Sequence, residues 1–209
     1  TDAGQLIISK FPLDEDQAAV DGEWIVPGVS GQGAPVRLEF QHPGGAATGR
    51  LLPTGDSVNV LDVLGVGPLE VSMVDAGNPC VFIAADALGL TGTEMPAALD
   101  AQMELLNHLE AIRCSASVAM GISDSMEAAA KIPGIPKVAL VSPAQSAATL
   151  SGDSLDESGC DITLRMISVG QPHRSIPVTG SMCAAIAAQI TDTVVNRLCR
   201  PAAEPDDIR

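Results

Sequence analysis

The residues best suited to bind an anion stand at the start of an apolar segment near the C-terminus. Thr179, Gly180 and Ser181 open a run of Met, Cys, Ala and Ile that continues to residue 190. A helix N-terminus carries unpaired backbone N–H groups and a partial positive charge, and glycine lets an anion approach the backbone closely. These three residues are therefore candidate ligands of a carboxylate. The alternative is an ordinary Ser or Thr cap on a core helix.

A second candidate is the tight corner at residues 75–80, Asp-Ala-Gly-Asn-Pro-Cys, between two apolar runs. The amide of Asn78 offers both a donor and an acceptor, which suits a substrate carboxylate at the mouth of a cleft. The structural alternative is that Asn78 serves the turn itself. Asparagine tolerates left-handed backbone geometry and can hydrogen-bond its own backbone. The residues alone leave both interpretations open.

A third candidate is His173, which lies with Arg174 a few residues before the apolar segment. A histidine can transfer a proton near neutral pH, and the fork of an arginine can clamp a carboxylate. No neighbour in the sequence offers a partner that would orient the ring, and a lone histidine on a loop is more often simply solvated. We therefore predict that His173 contacts substrate without acting as a base, and we assign no catalytic residue to this chain.

The five cysteines, at positions 80, 114, 160, 183 and 199, are widely spaced. None belongs to a Cys-x-x-Cys pair or to a Cys/His cluster with the spacing of zinc ligands, so the sequence predicts neither a disulfide framework nor a metal site. Cys183 falls in the first turn of the apolar segment, where a helix dipole could activate a thiol. Its apolar neighbours favour a buried structural thiol instead.

The elements that must position these residues are short strands and two helices. The 46% hydrophobic content includes only 2% aromatic residues, and 20 Gly and 15 Pro imply many turns. Aliphatic residues of this kind favour strands, which we predict at residues 5–12, 23–27, 35–40, 69–74, 80–84, 137–141 and 160–167. Apolar residues that recur every three or four positions over residues 93–120 predict one long amphipathic helix between a Thr93 cap and Gly121.

The segment at residues 180–190 is apolar on all sides, so the predicted helix should be buried on every side. The sequence thus predicts a single α/β (α+β) domain over residues 1–196. In it, a curved, mostly antiparallel sheet encloses the apolar helix, and the amphipathic helix lies outside. A polar tail from Arg197 to Arg209 follows.

The charge of the chain restricts its partners. Its formal net charge is −15, from 26 acidic and 11 basic residues, which excludes nucleic acid and anionic membrane surfaces as partners. No apolar run reaches the roughly 20 residues needed to span a bilayer, and we expect a cytoplasmic protein. The same charge repels an anionic substrate at long range, so local donors must overcome that field if the ligand is a polycarboxylate.

Several strings, taken in order, resemble the second half of the 2-methylaconitate cis–trans isomerase family. That family includes 4-oxalomesaconate tautomerases and methylitaconate isomerases. The strings are Leu-Leu-Pro-Thr-Gly at 51–55, Val-Ser-Met-Val-Asp-Ala-Gly-Asn-Pro at 71–79, Thr-Gly-Thr-Glu at 91–94, Glu-Ala-Ile-Arg at 110–113, Pro-Lys-Val-Ala-Leu-Val at 136–141, and residues 165–170 running on to His173-Arg174 and Thr179-Gly180-Ser181. The family has the diaminopimelate epimerase-like fold, in which each of two similar domains wraps a sheet around a central helix.

The resemblance implies a cofactor-free isomerisation of small unsaturated di- or tricarboxylic acids such as 2-methylaconitate, 4-oxalomesaconate or methylitaconate. One residue would remove an allylic proton beside a carboxylate, and another would return it elsewhere. Asn78 and Thr179, Gly180 and Ser181 match substrate-binding positions, and His173 matches less closely. The epimerases place a second catalytic cysteine at the start of the helix, where Val178 or a close neighbour stands here.

The main acid/base groups of the family, a Lys and a Cys, come from the first domain and have no counterpart in this chain. We therefore expect the second domain of a longer two-domain enzyme, inactive alone, whose partners are the acid and the first domain. A homodimer is a further expectation. The alternatives are a non-catalytic fragment that binds polycarboxylates and a domain kept for packing against a partner.

Overall fold

The computed structural model of the chain describes residues 6–26, 29–201 and 208. The strands in this part are β1 (Ile7–Lys10), β2 (Leu13–Asp14), β3 (Gln17–Ala18), β4 (Arg37–Phe40), β5 (Asn59–Val63), β6 (Gly67–Ala76), β7 (Asn78–Ala84), β8 (Lys137–Pro143), β9 (Ala147–Ala148), β10 (Ser154–Leu155), β11 (Ile162–Ser168) and β12 (Gln171–Pro172). The α-helices are α1 (Pro96–Asp100), α2 (Met103–Ala119), α3 (Met126–Ala130), α4 (Val178–Gln189) and α5 (Val194–Leu198).

Six strands form the central sheet in the order β12-β11-β8-β7-β6-β5. Neighbouring strands run antiparallel except β7 and β8, which are parallel. A parallel pair requires a long crossover, and the helical segment between Ala84 and Lys137 provides it. As a result Asn78 and Lys137, the first residues of β7 and β8, lie at the same end of the sheet. The predicted mixed α/β fold with a mostly antiparallel sheet is confirmed.

Each face of the central sheet builds its own core, because successive strand residues point to opposite faces. One face packs under α2 through buried aliphatic side chains: Val71, Met73, Val81, Ile83, Val138, Leu140, Leu109 and Ile112. The other face packs under α4 and α5: Val74, Phe82, Ala139, Val141, Leu164, Met166, Ala187 and Val195. Each fully buried large side chain contributes about 1.5–3 kcal/mol relative to an exposed one.

The predicted long helix over residues 93–120 is interrupted. Two helices, α1 and α2, are separated at Ala101 and Gln102, where the Gln102 backbone leaves helical geometry with φ −101° and ψ 76°. The interruption allows α1 to pack beside β12 while α2 packs across β5 and β8. Met103, which the periodicity assigned to the apolar stripe, is 67% exposed. The predicted stop at Gly121 holds within two residues, since α2 ends at Ala119.

The burial predicted for the apolar helix is only partly correct. In α4 the side facing the sheet is buried, and its members follow helical spacing: Gly180, Cys183, Ala184, Ala187 and Ala188. Ser181 and Gln189 are exposed, and Val178 is 59% exposed. One side of the helix covers the sheet, while the opposite side has no second layer over it in the described part of the chain. The few polar residues on that side, such as Ser181 and Gln189, were not enough to mark it as exposed in the sequence.

Up to Phe40, the strands of the described residues pair among themselves and lie outside the central sheet. Strands β1 and β4 pair with each other, and β2 and β3 form a small hairpin. Large hydrophobic side chains in this segment are exposed: Leu6, Ile8, Phe11, Leu13, Val20, Trp24, Ile25, Val26, Val29, Val36 and Leu38. The segment therefore presents apolar surface that its own fold leaves uncovered.

Helix α5 crosses the predicted boundary between the domain and the tail at residue 197. Arg197 forms an ion pair with Glu70 at 2.8 Å, and Leu198 and Cys199 pack against the core under α4. Residues 202–207 and 209 of the predicted tail lie outside the described residues. Among the helices described, none combines the length and apolar character needed to cross a membrane.

Candidate functional site

The corner that carries Asn78 is the tip of the β6–β7 hairpin. Ala76 and Asn78 are paired across it, and Gly77 takes the left-handed conformation with φ +70°. The Gly77 N–H donates to the Pro43 carbonyl at 2.7 Å. Because Gly77 supplies the left-handed residue, the interpretation that Asn78 is needed for this geometry is wrong. The Asn78 side-chain oxygen is buried and has no hydrogen-bond partner among the described residues.

The first turn of α4 lacks a side-chain cap. Pro177 is the N-cap residue, and among the described residues no side chain caps the first N–H groups. The Ser181 N–H donates to the Pro177 carbonyl at 2.9 Å, while the Ser181 hydroxyl donates to the Val178 carbonyl at 2.9 Å. The interpretation of Thr179 or Ser181 as an ordinary cap is therefore wrong. The N–H groups of residues 178–180 precede the first intrahelical bond and have no acceptor within the helix.

The corner and the first turn of α4 are in contact. A Cβ atom placed on Gly77 would overlap the Met182 methyl group and would lie 3.9 Å from the Thr179 Cγ2. On the other side of the turn, a Cβ on Gly180 would lie 2.8 Å from the Met166 methyl carbon of β11. The structure thus places the corner, through the residue before Asn78, against the start of α4 at Thr179 and Met182. The role of Asn78, Thr179, Gly180 and Ser181 in substrate binding stays a prediction.

A loop from Pro43 to Leu51 supports the corner through Asp75. The Asp75 Oδ2 accepts hydrogen bonds from the Ala47 N–H at 2.8 Å and the Thr48 N–H at 2.7 Å. The Asp75 carbonyl accepts from the Gly45 N–H at 2.7 Å, and its own N–H donates to the Leu51 carbonyl at 2.9 Å. Asp75 is fully buried. Its Oδ1 atom is buried with no hydrogen-bond partner among the described residues, so the bonds to Oδ2 and to the Asp75 backbone hold the loop beside Gly77.

His173 lies at one end of a mostly apolar cleft of about 410 Å³ that runs along β11. Arg165 and Arg174 also line the cleft, but Asn78 and residues 179–181 do not. The Arg165 guanidinium is already engaged, since it donates to the carbonyls of Glu94 at 2.8 Å and Thr93 at 3.3 Å. Of the predicted residues, only His173 therefore opens into this cleft.

The surroundings of His173 disfavour the protonated form of its ring. Its backbone N–H donates to the Met166 carbonyl at 2.8 Å, and its Nε2 atom is buried with no hydrogen-bond partner among the described residues. Burial lowers the pKa of His173 below its usual 6.5, and the positive charge of Lys137 lowers it further. The interpretation of His173 as a freely solvated loop residue is therefore wrong. A neutral imidazole has one donor and one acceptor nitrogen to offer a ligand.

Lys137 is a candidate that the sequence analysis missed. It is the first residue of β8, and its ammonium group donates to the Ser168 hydroxyl of β11 at 2.8 Å. By period-two alternation it shares the face of Ala139 and Val141, which are buried under α4. That signal is visible in the string Pro-Lys-Val-Ala-Leu-Val. The parallel pairing that places Lys137 opposite Cys80 is a long-range feature and is not visible there.

Two thiols lie beneath the corner, in the core under α4. Cys80 and Cys183 are both fully buried, and the Cys183 thiol donates to the Val74 carbonyl at 3.4 Å. A hydrogen bond to Cys183, together with burial, raises the pKa of Cys80 well above its usual value. The prediction of Cys183 as a buried structural thiol is confirmed. No cluster of three or more His, Cys, Asp or Glu side chains suited to a metal ion occurs in the residues described.

Comparison with known proteins shows clear similarity along the chain. A family model described as "PrpF protein" matches residues 1–206. The chain is 34% identical to the 3-methylitaconate isomerase of Eubacterium barkeri, with 100% of this chain and 55% of that protein covered. It is 33% identical to the 2-methyl-aconitate isomerase of Shewanella oneidensis, with 92% and 49% covered.

The fold matches equally well. The crystal structure of a methylitaconate-delta-isomerase superposes with a TM-score of 0.90 at 33% identity, covering 100% of this chain and 54% of that one. This agreement confirms the predicted epimerase-like fold and the predicted family. The chain spans about half the length of the curated relatives it matches.

Proposed function

The chain belongs to the PrpF protein family, and we propose that it forms one wall of the active site of an isomerase. The substrates are small unsaturated di- or tricarboxylic acids, in which the enzyme shifts a proton and a double bond. The names of the relatives support this, since they are isomerases of methylitaconate and methylaconitate. We propose the same reaction class for this chain because it belongs to the family.

The observation that carries the proposal is the contact between the Asn78 corner and the first turn of α4. Asn78, Thr179, Gly180 and Ser181 bind one carboxylate of the substrate, and His173 contacts the ligand from the side of β11. The free N–H groups of the helix start donate to the carboxylate, and the partial charge of the dipole stabilises it. These local donors offset the repulsion that a chain of net charge −15 exerts on an anion.

In the reaction, a base removes the allylic proton beside a carboxylate. The electron pair left on carbon spreads into the adjacent double bond and carboxyl group. An acid then protonates the far carbon, so one C–H bond breaks and another forms with no net change in oxidation state. Donors at the start of α4 stabilise the charge that accumulates on the carboxylate as the proton leaves.

The acid and base belong to a companion domain that supplies a Lys and a Cys. Within the described part of this chain, the thiols closest to the corner are Cys80 and Cys183, and both are fully buried. Neither can reach a substrate at the helix start. The exposed hydrophobic side chains of residues 6–38, such as Trp24 at 63%, supply a surface suited to packing against such a domain. The uncovered side of α4 adds to this apolar surface.

Proton exchange measured by NMR in ²H₂O tests the proposal. A protein that joins this chain to the companion domain should wash deuterium into the allylic position of a methylaconitate-like acid, and Asn78→Ala should slow that exchange about tenfold or more. The 209-residue chain alone should bind the acid without exchanging its protons. Exchange by the chain alone would contradict the division of labour. Binding without exchange by the joined protein would favour the non-catalytic polycarboxylate-binding alternative.

A further inference from the structure

Lys137 occupies a central position at the end of the sheet where the proposed site lies. Strand β8 lies between β7 and β11, and Lys137 is the parallel partner of Cys80, two residues beyond Asn78. The first turn of α4 contacts Gly77 on one side and Met166 of β11 on the other. Lys137 stands on the face that α4 covers, so it lies between the two strands that hold this turn.

Within the described residues, the ammonium group of Lys137 has unused hydrogen-bonding capacity. One of its three N–H groups donates to the Ser168 hydroxyl at 2.8 Å. Salt bridges among the described residues involve other cations, and none of them engages Lys137. In a chain with 26 acidic and 11 basic residues, a half-buried lysine without a carboxylate partner is unexpected.

The surroundings of Lys137 are electrostatically unfavourable to a cation. The start of α4 carries the positive end of a helix dipole, which disfavours a like charge nearby. The positive charge of Lys137 also adds to the effect of burial in lowering the pKa of His173. The buried Nε2 atom of His173 has no partner among the described residues. An anion beside the ammonium group would convert this repulsion into attraction. The Ser168 hydroxyl accepts from Lys137, so its own hydrogen is available to donate to such an anion.

We propose that Lys137 and the Ser168 hydroxyl form a subsite for a second carboxylate of the substrate. The inference rests on the proposed function and adds a selectivity to it. The helix start and Asn78 bind one carboxylate, which any enoic acid has, while the Lys137 subsite selects acids that carry at least two. Charge-assisted bonds from an ammonium group are among the stronger hydrogen bonds in proteins, so this subsite sets the preference for polycarboxylates.

A purely structural role for Lys137 is the competing explanation. The bond to Ser168 joins β8 to the neighbouring strand, and the long stem of a lysine can lie along apolar surface while its head reaches solvent. Replacing Lys137 by methionine keeps most of the stem and removes the charge. A structural role would change stability without changing the discrimination between ligands.

The test is a titration of the 209-residue chain with cis-aconitate, a tricarboxylate, and with crotonate, a monocarboxylate enoic acid. Binding is measured from the backbone amide shifts of Asn78 and Thr179. Lys137→Met should weaken cis-aconitate about tenfold or more, the factor of a single charged hydrogen bond, and leave crotonate within about twofold. The matched control is Lys131→Met, which removes the same charge from an exposed position at the end of α3.

The outcomes separate the two proposals. If the unmodified chain binds neither acid, the proposed carboxylate-binding wall is wrong. The unmodified chain could instead bind cis-aconitate while Lys137→Met weakens the binding of both acids equally, or of neither. The proposal of a second subsite would then be wrong, while the proposed carboxylate-binding wall would be retained. Should Lys137→Met fail to fold, Ser168→Ala serves instead, since it removes the hydroxyl and keeps the charge. This variant should still weaken cis-aconitate more than crotonate, and an equal effect on both would overturn the subsite.

Discussion

Asp75 and Thr48 are joined by two hydrogen bonds to the same carboxylate oxygen, from the Thr48 N–H at 2.7 Å and from its hydroxyl at 2.9 Å. Asp75 directly precedes the corner at residues 76–78, and Thr48 lies at the centre of the loop from Pro43 to Leu51. This pair ties the loop to the strand that leads into the corner. The position of Asn78 beside α4 therefore depends on a loop far from it in sequence.

Within that loop, substitution of Gly45 should destabilise the protein more than substitution of Gly49. Both have left-handed backbones, with φ +76° and +79°. A Cβ on Gly45 would lie 2.6 Å from the Gly49 carbonyl carbon and 2.7 Å from the Arg50 nitrogen, whereas a Cβ on Gly49 would meet nothing within 4 Å. We expect Gly49→Ala to cost about 1–2 kcal/mol of unfolding free energy from backbone strain, and Gly45→Ala at least about 1 kcal/mol more from overlap.

Urea unfolding of the two variants measures this difference. Because the backbone angles match, the strain of the left-handed conformation cancels in the comparison, and only the overlap remains. Equal destabilisation of both variants would show that the loop relaxes freely and is not fixed to Asp75.

Local patterns allowed much of the site to be predicted from sequence. Alternation over residues 36–40 predicted β4 (Arg37–Phe40), and the apolar segment after Gly180 predicted α4. The corner was recognisable because Gly-Asn-Pro between two apolar runs leaves few conformations. These patterns depend only on residues close together in the sequence, so they can be recognised without knowing the tertiary contacts.

What could not be predicted depends on contacts between distant segments. The break at Gln102 arises because α1 and α2 pack on different strands, and the apolar periodicity runs across it without a gap. The one-sided burial of α4 depends on which layers cover it, and its exposed side carries too few polar residues to reveal this in the sequence. Lys137 joins the site only through the parallel pairing of β7 with β8, which no local pattern reveals.

Arg113 should be a main determinant of stability. It is 2% exposed, and its guanidinium donates to the carbonyls of Ala129, Ile132 and Ile135 and to both carboxylate oxygens of Glu110. Lysine keeps the charge but cannot reproduce this planar set of bonds. We expect Arg113→Lys to cost about 2 kcal/mol or more, because the buried Ala129 carbonyl and the part-buried carbonyls of Ile132 and Ile135 lose their donors. Thermal and urea unfolding measure the change.

Arg197→Lys is the matched control for Arg113. Arg197 is also paired with a glutamate, Glu70, but both side chains are about half exposed. Exposed ion pairs contribute little, so this change should stay within about 0.5 kcal/mol. Comparable losses in the two variants would mean that the buried bonds of Arg113 add nothing beyond its charge.

The ionisation of His173 should report directly on Lys137. Burial and the Lys137 charge lower the pKa of His173, with burial the larger cause. Lys137→Met removes one of the two causes, so the pKa should rise towards 6.5 without reaching it. Titration of the His Cε1–H signals by NMR measures the shift. The three histidines are distinguished with a His173→Gln variant.

The same shift predicts a pH dependence of stability. The unfolded chain binds a proton at His173 near pH 6.5, whereas the folded chain does so only at lower pH. The neutral ring therefore contributes its full stability above pH 6.5, and that contribution is lost as the pH falls through 6.5 towards the folded pKa. Lys137→Met should narrow the pH range between 6.5 and the folded pKa over which this stability is lost. Lys131→Met should leave that range unchanged. Arg165 and Arg174, which line the same cleft, remain in both variants and act equally on the ring. An unchanged or lower pKa of His173 in Lys137→Met would show that the ammonium group does not face the ring, and the subsite for a second carboxylate would lose its cation.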